Sequence, residues 1–510
     1  MLEMDDNTTY YRPLGLHERY CLARAQTGYP VIITLVAKIP KENEKEHPFR
    51  LLIESNIDKL LHVYPLLSCG ILDARTNQPS FYRKCNRPFT HVDILDNVEQ
   101  EVSNGLLTKT DEEITAQIIS FELFDCGEGK GTLSEDKCPL WRVKIHSSPF
   151  MSHYWFSLSV NHLIVDGRGA ANLFELLLAK DISSLIPSVP LQDIPPTSDQ
   201  VFSMSPPYHY LVPIVFKELM IPRLPSWFQN WIKRKPVWTS NKPLAIHPCK
   251  VNPIVNILYL DMDIIQQLKK TAQARQVKTI NPLLFIAALV TTFTFIEEAN
   301  ILMKSNSPIN IRPQAGPDAT TCTGNYVALA EWYTSPTSST KIWQSTREYA
   351  NLLSTTRSSL THGLWVFGMM NYIPDAMSDP FPSKQIRQQH STATIKHHQQ
   401  TSWEYFFRQK LNLENPMVAS LNMSNLGVIK GHIKVDKLAW AQTSSPAGAP
   451  FTLDVCGYPN GLGIAIRTRT GTSNGTLFAK RMKKAILILA QEALVPQDLT
   501  MAEMVQLIND

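Results

Sequence analysis

The sequence predicts a mixed α/β (α+β) fold built from two subdomains, and three observations carry that prediction. The chain has 510 residues, more than one hydrophobic core supports, since single cores stop growing near about 250–300 residues. Both halves interleave β-branched, strand-like runs with segments of helical period, as in mixed sheets covered by helices. Between the halves, residues 182–248 hold twelve of the chain's 35 prolines, a density that interrupts regular structure and marks a crossover. The expected division is an N-terminal subdomain at 1–181, the crossover at 182–248 and a C-terminal subdomain at 249–510.

In the first half, VIITLVAKIP (31–40) reads as a strand and 48–64 as a helix. PLWRVKIHSS (139–148) and HYWFSLSVNH (153–162) are β-rich and only four residues apart, so they are expected as neighbours in one sheet. GAANLFELLLAK (169–180) follows as a helix with Leu173, Phe174 and Leu177 on one stripe. Within the crossover, YLVPIVFKELMIPRLPSWFQNWIKRKPVW (210–238) mixes large apolar and aromatic residues with a basic end. Its proline spacing leaves little helix to carry an amphipathic moment, which favours a linker packed against both subdomains over a segment resting on a lipid surface. The second half restarts with a strand in VNPIVNILYLDM and a helix in IIQQLKKTAQARQ. Leu283–Ile296, preceded by Asn281 and Pro282, spans 14 residues; a bilayer needs about 20, so it reads as a buried core helix. Strands are expected near SPINIRPQ, GNYVALAEWY, VASLNMSNLG, FTLDVC and LGIAIRT, with a last helix at Thr476–Leu494.

Composition narrows the partners. A net charge of +4 with basic and acidic residues interleaved argues against nucleic acid. The eight cysteines show no Cys-x-x-Cys and no Cys/His ligand spacing, and read as core residues of a reducing, cytoplasmic compartment. The N-terminal stretch MLEMDDNTTYYRPLG lacks the apolar run of a signal peptide. No metal is expected: His397 and His398 are adjacent in sequence and diverge on a strand. Lys233-Arg234-Lys235 reads as a solvated basic end.

The chemistry concentrates in SLSVNHLIVDGRGAANLF, 157–174. Phe156, Leu158 and Val160 share parity with His162, so the imidazole points where the apolar side chains point. The strand then ends, Asp166-Gly167 turns, and a helix begins. An interior imidazole at a strand end, with an ordinary pKa near about 6.5, can take a proton from an alcohol or amine near neutral pH. Taken singly, the three residues have plainer readings: His162 as a core histidine, Asp166 as a helix cap, Gly167 as a turn former. Their joint spacing and placement favour chemistry.

NHLIVDG resembles the His-x-x-x-Asp-Gly motif of the coenzyme A-dependent acyltransferase superfamily, which includes chloramphenicol acetyltransferases, plant BAHD acyltransferases and condensation domains. YYRPLGLHERYCLARAQTGYPVIITLVAKI, PLWRVKI, the proline-rich crossover, INIRPQ, GNYVA, SNLG and FTLDVCGYPNGLGIAI are similar, in order and spacing, to the fungal alcohol O-acetyltransferase family within it. The resemblance implies two chloramphenicol-acetyltransferase-like subdomains with the active site in a tunnel between them. It implies His162 as the general base, Asp166 as an orienting residue paired with an arginine, Arg312 of INIRPQ being the candidate, and Gly167 as the tight turn. Acetyl-CoA would be co-substrate in a ternary complex, with no permanently bound cofactor and an alcohol as acceptor. An amine acceptor, a carrier-protein thioester and a non-catalytic binding protein keeping the fold are the alternatives. The plant Asp-Phe-Gly-Trp-Gly signature is absent and Asn161 stands where many relatives have a second histidine. Ser424, Asn425 and Asn325 are therefore the expected donors to the oxyanion or the tunnel wall. A monomer is expected, cytoplasmic or peripheral on an intracellular membrane.

Overall fold

The structure, a computed structural model, describes residues 8–41, 48–84, 88–98, 109–127, 133, 139–147, 152–216, 220–221, 224–225, 227, 236–239, 253–297, 301–316, 321–354, 357–373, 401–413, 415–469, 474–491 and 495–510. The strands are β1 (Thr8–Pro13), β2 (Ile32–Pro40), β3 (Gly70–Leu72), β4 (Ser80–Lys84), β5 (Leu95–Val98), β6 (Trp141–His146), β7 (His153–Asn161), β8 (Pro253–Asp261), β9 (Met303–Asn310), β10 (Val327–Thr334), β11 (Leu421–Val428), β12 (Lys437–Gln442), β13 (Phe451–Tyr458) and β14 (Gly461–Arg469). The helices longer than one turn are α1 (Leu16–Gln26), α2 (Phe49–Val63), α3 (Asp111–Gly127), α4 (Gly167–Leu177), α5 (Tyr208–Val215), α6 (Met262–Ala274), α7 (Asn281–Phe293), α8 (Ile342–Leu353), α9 (Arg357–Gly368), α10 (Ser402–Leu411), α11 (Gly475–Ala490) and α12 (Met501–Asn509). The mixed α/β class expected from the two periodicities is the class observed.

Two mixed sheets organise these elements. A five-stranded sheet runs β12-β2-β7-β6-β5 and a six-stranded sheet runs β10-β9-β11-β13-β14-β8; a small sheet β1-β4-β3 stands apart. β6 and β7 pair antiparallel, Val143 opposite Leu158, as their proximity in sequence requires. Both faces of β7 are buried. On its apolar face Phe156, Leu158 and Val160 enter the first core. On its polar face Ser159 Oγ lies 2.9 Å from Thr34 Oγ1, and Asn161 donates to Leu133 O at 2.7 Å. Hydrogen bonding of this kind is what allows a polar face to be buried at modest cost.

The halves exchange a strand. β12 comes from the second half yet completes the first sheet, antiparallel to β2 with Leu438 opposite Ala37. It carries Trp440, 1% exposed, whose indole donates to Val455 O on β13 at 2.9 Å. Short apolar runs such as KLAWAQ carry little signal of which sheet they join, because pairing is decided by non-local partners. α7 is buried from Pro282 to Thr292 at the centre of the second core, as a core helix. Thr294–Ile296 lie beyond its end, so the expected C-terminus was three residues too far. Beyond α11 the chain adds α12, absent from the sequence reading, with a Thr500/Glu503 capping box.

Part of the crossover departs from a linker packed on both sides. α5 has no buried residue; Tyr208 is 83% exposed and Val212 58%. Its inner contacts run to α9, where Tyr210 meets His362 edge-on at 5.0 Å. Lys233-Arg234-Lys235 and His397-His398 lie outside the described residues. Among the described residues no helix is long and apolar enough to cross a membrane.

Candidate active site

Asp166 is the most completely engaged side chain of the motif. As the N-cap of α4 it accepts from Gly169 N through Oδ1 at 2.7 Å. Its Oδ2 accepts from Arg312 Nη2 at 2.7 Å and from Tyr326 N at 2.8 Å. The aspartate is 1% exposed and Arg312 8%. Arg312 also donates to Thr323 O at 2.7 Å and Gly324 O at 2.9 Å, and Gly324 N returns to Ile164 O at 2.9 Å. One carboxylate thus ties the end of β7 to the segment between β9 and β10. A buried pair with every oxygen satisfied is the condition under which its desolvation is offset.

Gly167 differs from the turn glycine expected. It is the first residue of α4, and its φ lies outside the left-handed region. What the position requires is space: a Cβ there would come within 2.7 Å of Leu426 Cδ2. At Gly169 a Cβ would meet Val165 Cγ2 at 2.5 Å and Arg312 Nη2 at 2.8 Å, so the second glycine is what lets the ion pair close.

His162 lies one residue past β7, its N–H bonded to Val31 O at 2.8 Å. Nδ1 is 2.9 Å from Asn325 Oδ1. The amide's orientation follows from its other end: Nδ2 donates to His162 O at 3.0 Å and Leu163 O at 3.1 Å, and carbonyl oxygens only accept. Oδ1 therefore faces the ring and takes the proton on Nδ1, which leaves Nε2 unprotonated and free as a base. Burial, above all, holds the imidazole below the usual histidine range; Asp166 and the Asn325 bond oppose that shift, and Arg24 adds to it. The ring is neutral, and so able to accept a proton, at physiological pH.

His162 opens onto a cavity of about 480 Å3 between the halves. Ser424, Trp440 and Arg467 line it from the second half. Arg467 Nε donates to Asp454 Oδ2 at 2.6 Å and Nη1 to Ser444 Oγ at 2.8 Å. Of the three candidate oxyanion donors, Asn325 has both amide protons committed to carbonyls, and Asn425 donates to Asn281 Oδ1 at 2.7 Å while accepting from Gly427 N at 2.8 Å. Ser424 alone faces the cavity.

The wall missed from sequence is α1. His17, Tyr20, Cys21 and Arg24 line the same cavity, spaced i, i+3, i+4, i+7 on one helical face. That stripe was visible in LGLHERYCLARA, but polar and aromatic residues at helical spacing do not by themselves announce a cavity. α1 is held by Glu18, which accepts from Gly15 N at 2.8 Å and from Arg12 through both oxygens at 2.8 and 2.9 Å, and by Asp199 of the crossover, which accepts from Leu16 N at 3.0 Å. The His17 ring sits 5.0 Å from that of His162, and burial pushes it well below the ordinary range, with His162 and Arg24 contributing.

The ligating atoms of His17, Cys21 and His162 lie within 4.8 Å of one another. Burial pushes the Cys21 thiol up to about 12, so on its own it is not a thiolate nucleophile near neutral pH. The nearby Arg24 guanidinium opposes a dication there as well. The five described cysteines, Cys21, Cys69, Cys126, Cys322 and Cys456, are buried.

Solved structures share this mixed α/β fold over nearly the whole chain. Polyketide synthase associated protein 5 from Mycobacterium tuberculosis aligns with a TM-score of 0.58 at 10% identity, covering 95% of this chain and 100% of its own. The first condensation domain of the CDA synthetase gives 0.56 at 13% identity, with 98% and 99% covered. The TRI3 trichothecene 15-O-acetyltransferase from Fusarium sporotrichioides gives 0.58 at 10% identity, with 95% of each chain covered. The fold is therefore that of condensation domains and acetyltransferases. No protein-family profile matches the sequence, and no curated protein matches it.

Proposed function

We propose that this protein is an acyltransferase that moves an acyl group, most simply acetyl from acetyl-CoA, onto a hydroxyl, with His162 as general base. The observation that carries the reading is the His162–Asn325 pair, which aims an unprotonated Nε2 at a cavity shared by both halves. Nε2 takes the hydroxyl proton as the oxygen attacks the thioester carbonyl carbon. The tetrahedral intermediate collapses with cleavage of the C–S bond, and the imidazolium returns its proton to the departing thiolate. An intermediate of this kind needs a preorganised donor, worth about 3 kcal/mol in acyl transfer, and Ser424 is the candidate. Asp166 and Arg312 act as positioning residues, holding the backbone from which His162 projects. No permanently bound cofactor is required by these steps.

The fold shared with both acetyltransferases and condensation domains supports a thioester donor without distinguishing free CoA from a carrier-bound phosphopantetheine, and the base serves an amine as well as an alcohol. Thiol release from acetyl-CoA against a panel of alcohols and amines tests the reading. Turnover with the free thioester supports it, and the preferred nucleophile separates ester from amide formation. Turnover only with a phosphopantetheinylated carrier moves the protein to a condensation-type reaction, and CoA binding without turnover moves it to a binding protein. The exposed apolar residues of α5 are the place for contact with an intracellular membrane; flotation with anionic vesicles, absent for Tyr208→Ala/Val212→Ser, tests that contact, and flotation unchanged by the substitutions refutes it.

A further inference from the structure

Four arginines of this protein illustrate the usual partner of a guanidinium taken out of water. Arg12 faces Glu18, Arg142 faces Glu122 and Asp125, Arg312 faces Asp166, and Arg467 faces Asp454. Arg24 is the exception on the cavity wall. Its Nε and Nη2 are shielded from solvent with no hydrogen-bond partner, and among the described residues no carboxylate pairs with it. Its Cζ lies 5.8 Å from the centroid of the Tyr20 ring. Guanidinium N–H groups held away from water without an acceptor are costly unless something else supplies one.

The location says what could. Arg24 lines the same cavity as His162 and stands close enough to disfavour the protonated forms of both His17 and His162. Around it the cavity is largely apolar, with Tyr20, Met370, Phe406 and Phe407 on the wall. The planar donor fork of arginine matches a carboxylate in bidentate geometry, and the match strengthens as water is excluded.

Resting on the acyltransferase reading, we infer that one reactant carries a carboxylate on an apolar body, and that this carboxylate docks on the unpartnered guanidinium of Arg24 while the reacting group meets His162. The carboxylate can ride on the acceptor, as in a hydroxy acid, or on the acyl group, as in a dicarboxylic half-thioester. In both cases Arg24 sets substrate choice and leaves the proton transfer to His162.

The test compares wild type with Arg24→Met on matched pairs. The acceptor arm uses ω-hydroxyhexanoate and its methyl ester with acetyl-CoA; the donor arm uses succinyl-CoA and acetyl-CoA with hexanol. Wild type is expected to favour the charged member of one arm at least tenfold in kcat/KM, and Arg24→Met to collapse that ratio toward one. The variant should melt at or above the wild-type temperature, because it removes an uncompensated charge, whereas a structural arginine would lower it. Indifference to charge on both arms, or a ratio that Arg24→Met does not change, overturns the inference. Should no pair turn over, the acyltransferase reading fails separately, and calorimetric titration with ω-hydroxyhexanoate and its ester decides the site: binding of the acid alone, lost in Arg24→Met, sustains it, and equal or absent binding of both overturns it.

Discussion

His162 and Asp166 are four residues apart and occupy opposite environments. The aspartate is 1% exposed and accepts from Gly169, Arg312 and Tyr326, so its bonding capacity is used up inside the protein. The histidine uses one ring nitrogen, toward Asn325, and leaves the other to the cavity. A side chain whose bonds are all internal holds structure; one with a nitrogen in reserve is available for chemistry. The motif spacing places both because the turn after β7 reverses the chain between them.

The sharpest way to break that contrast is Asp166→Asn. It removes the charge facing Arg312 and leaves a buried guanidinium uncompensated, which should cost about 3–5 kcal/mol of stability and lower activity with it. Urea unfolding measures this, and midpoints matching the wild type would contradict the structural role. Asn325→Ala is expected to act on the other side of the comparison. It should lower kcat about 10- to 100-fold, within the span that positioned acid–base groups contribute, with little change in KM, because it frees the ring to exchange tautomers. A larger rise in KM than fall in kcat would place Asn325 in substrate binding instead.

A smaller effect follows from the buried imidazoles. His17 and His162 are held below the ordinary range, and burial lowers His146 to about 4. Their folded forms therefore bind fewer protons than the unfolded chain once pH drops below its value near about 6.5. Stability should be level above pH 7 and fall as pH decreases below about 6.5, where the unfolded chain takes up protons that the buried imidazoles do not. Unfolding midpoints at pH 7.5 and 5.5 check the direction; equal midpoints would mean that the imidazoles are not buried neutral.

Much of the first sheet was legible because β2, β6 and β7 carry long β-branched or aromatic runs, and β7 delivers His162 with the parity its apolar neighbours require. Arg312 was named as a partner for Asp166 from the resemblance, and the fold brings the two to 2.7 Å. What periodicity does not convey is which distant elements meet. Asn325 read as a tunnel or oxyanion residue, yet its amide is consumed by His162 and the carbonyls beside it. The sequence reading placed no element at α1, and nothing in its spacing conveys that His17, Cys21 and Arg24 share a cavity with residues more than a hundred positions away. The exchange of β12 was illegible for the same reason: KLAWAQ has strand character but no mark of its sheet.

The central claim, that His162 is the base of an acyl transfer, is tested most directly by single-turnover thiol release from acetyl-CoA with the preferred acceptor, comparing wild type and His162→Ala at matched folded fractions. The account predicts a rate about 100- to 10,000-fold lower in the variant with thermal melting that overlays the wild type. A folded His162→Ala that releases thiol within about twofold of the wild-type rate would contradict it.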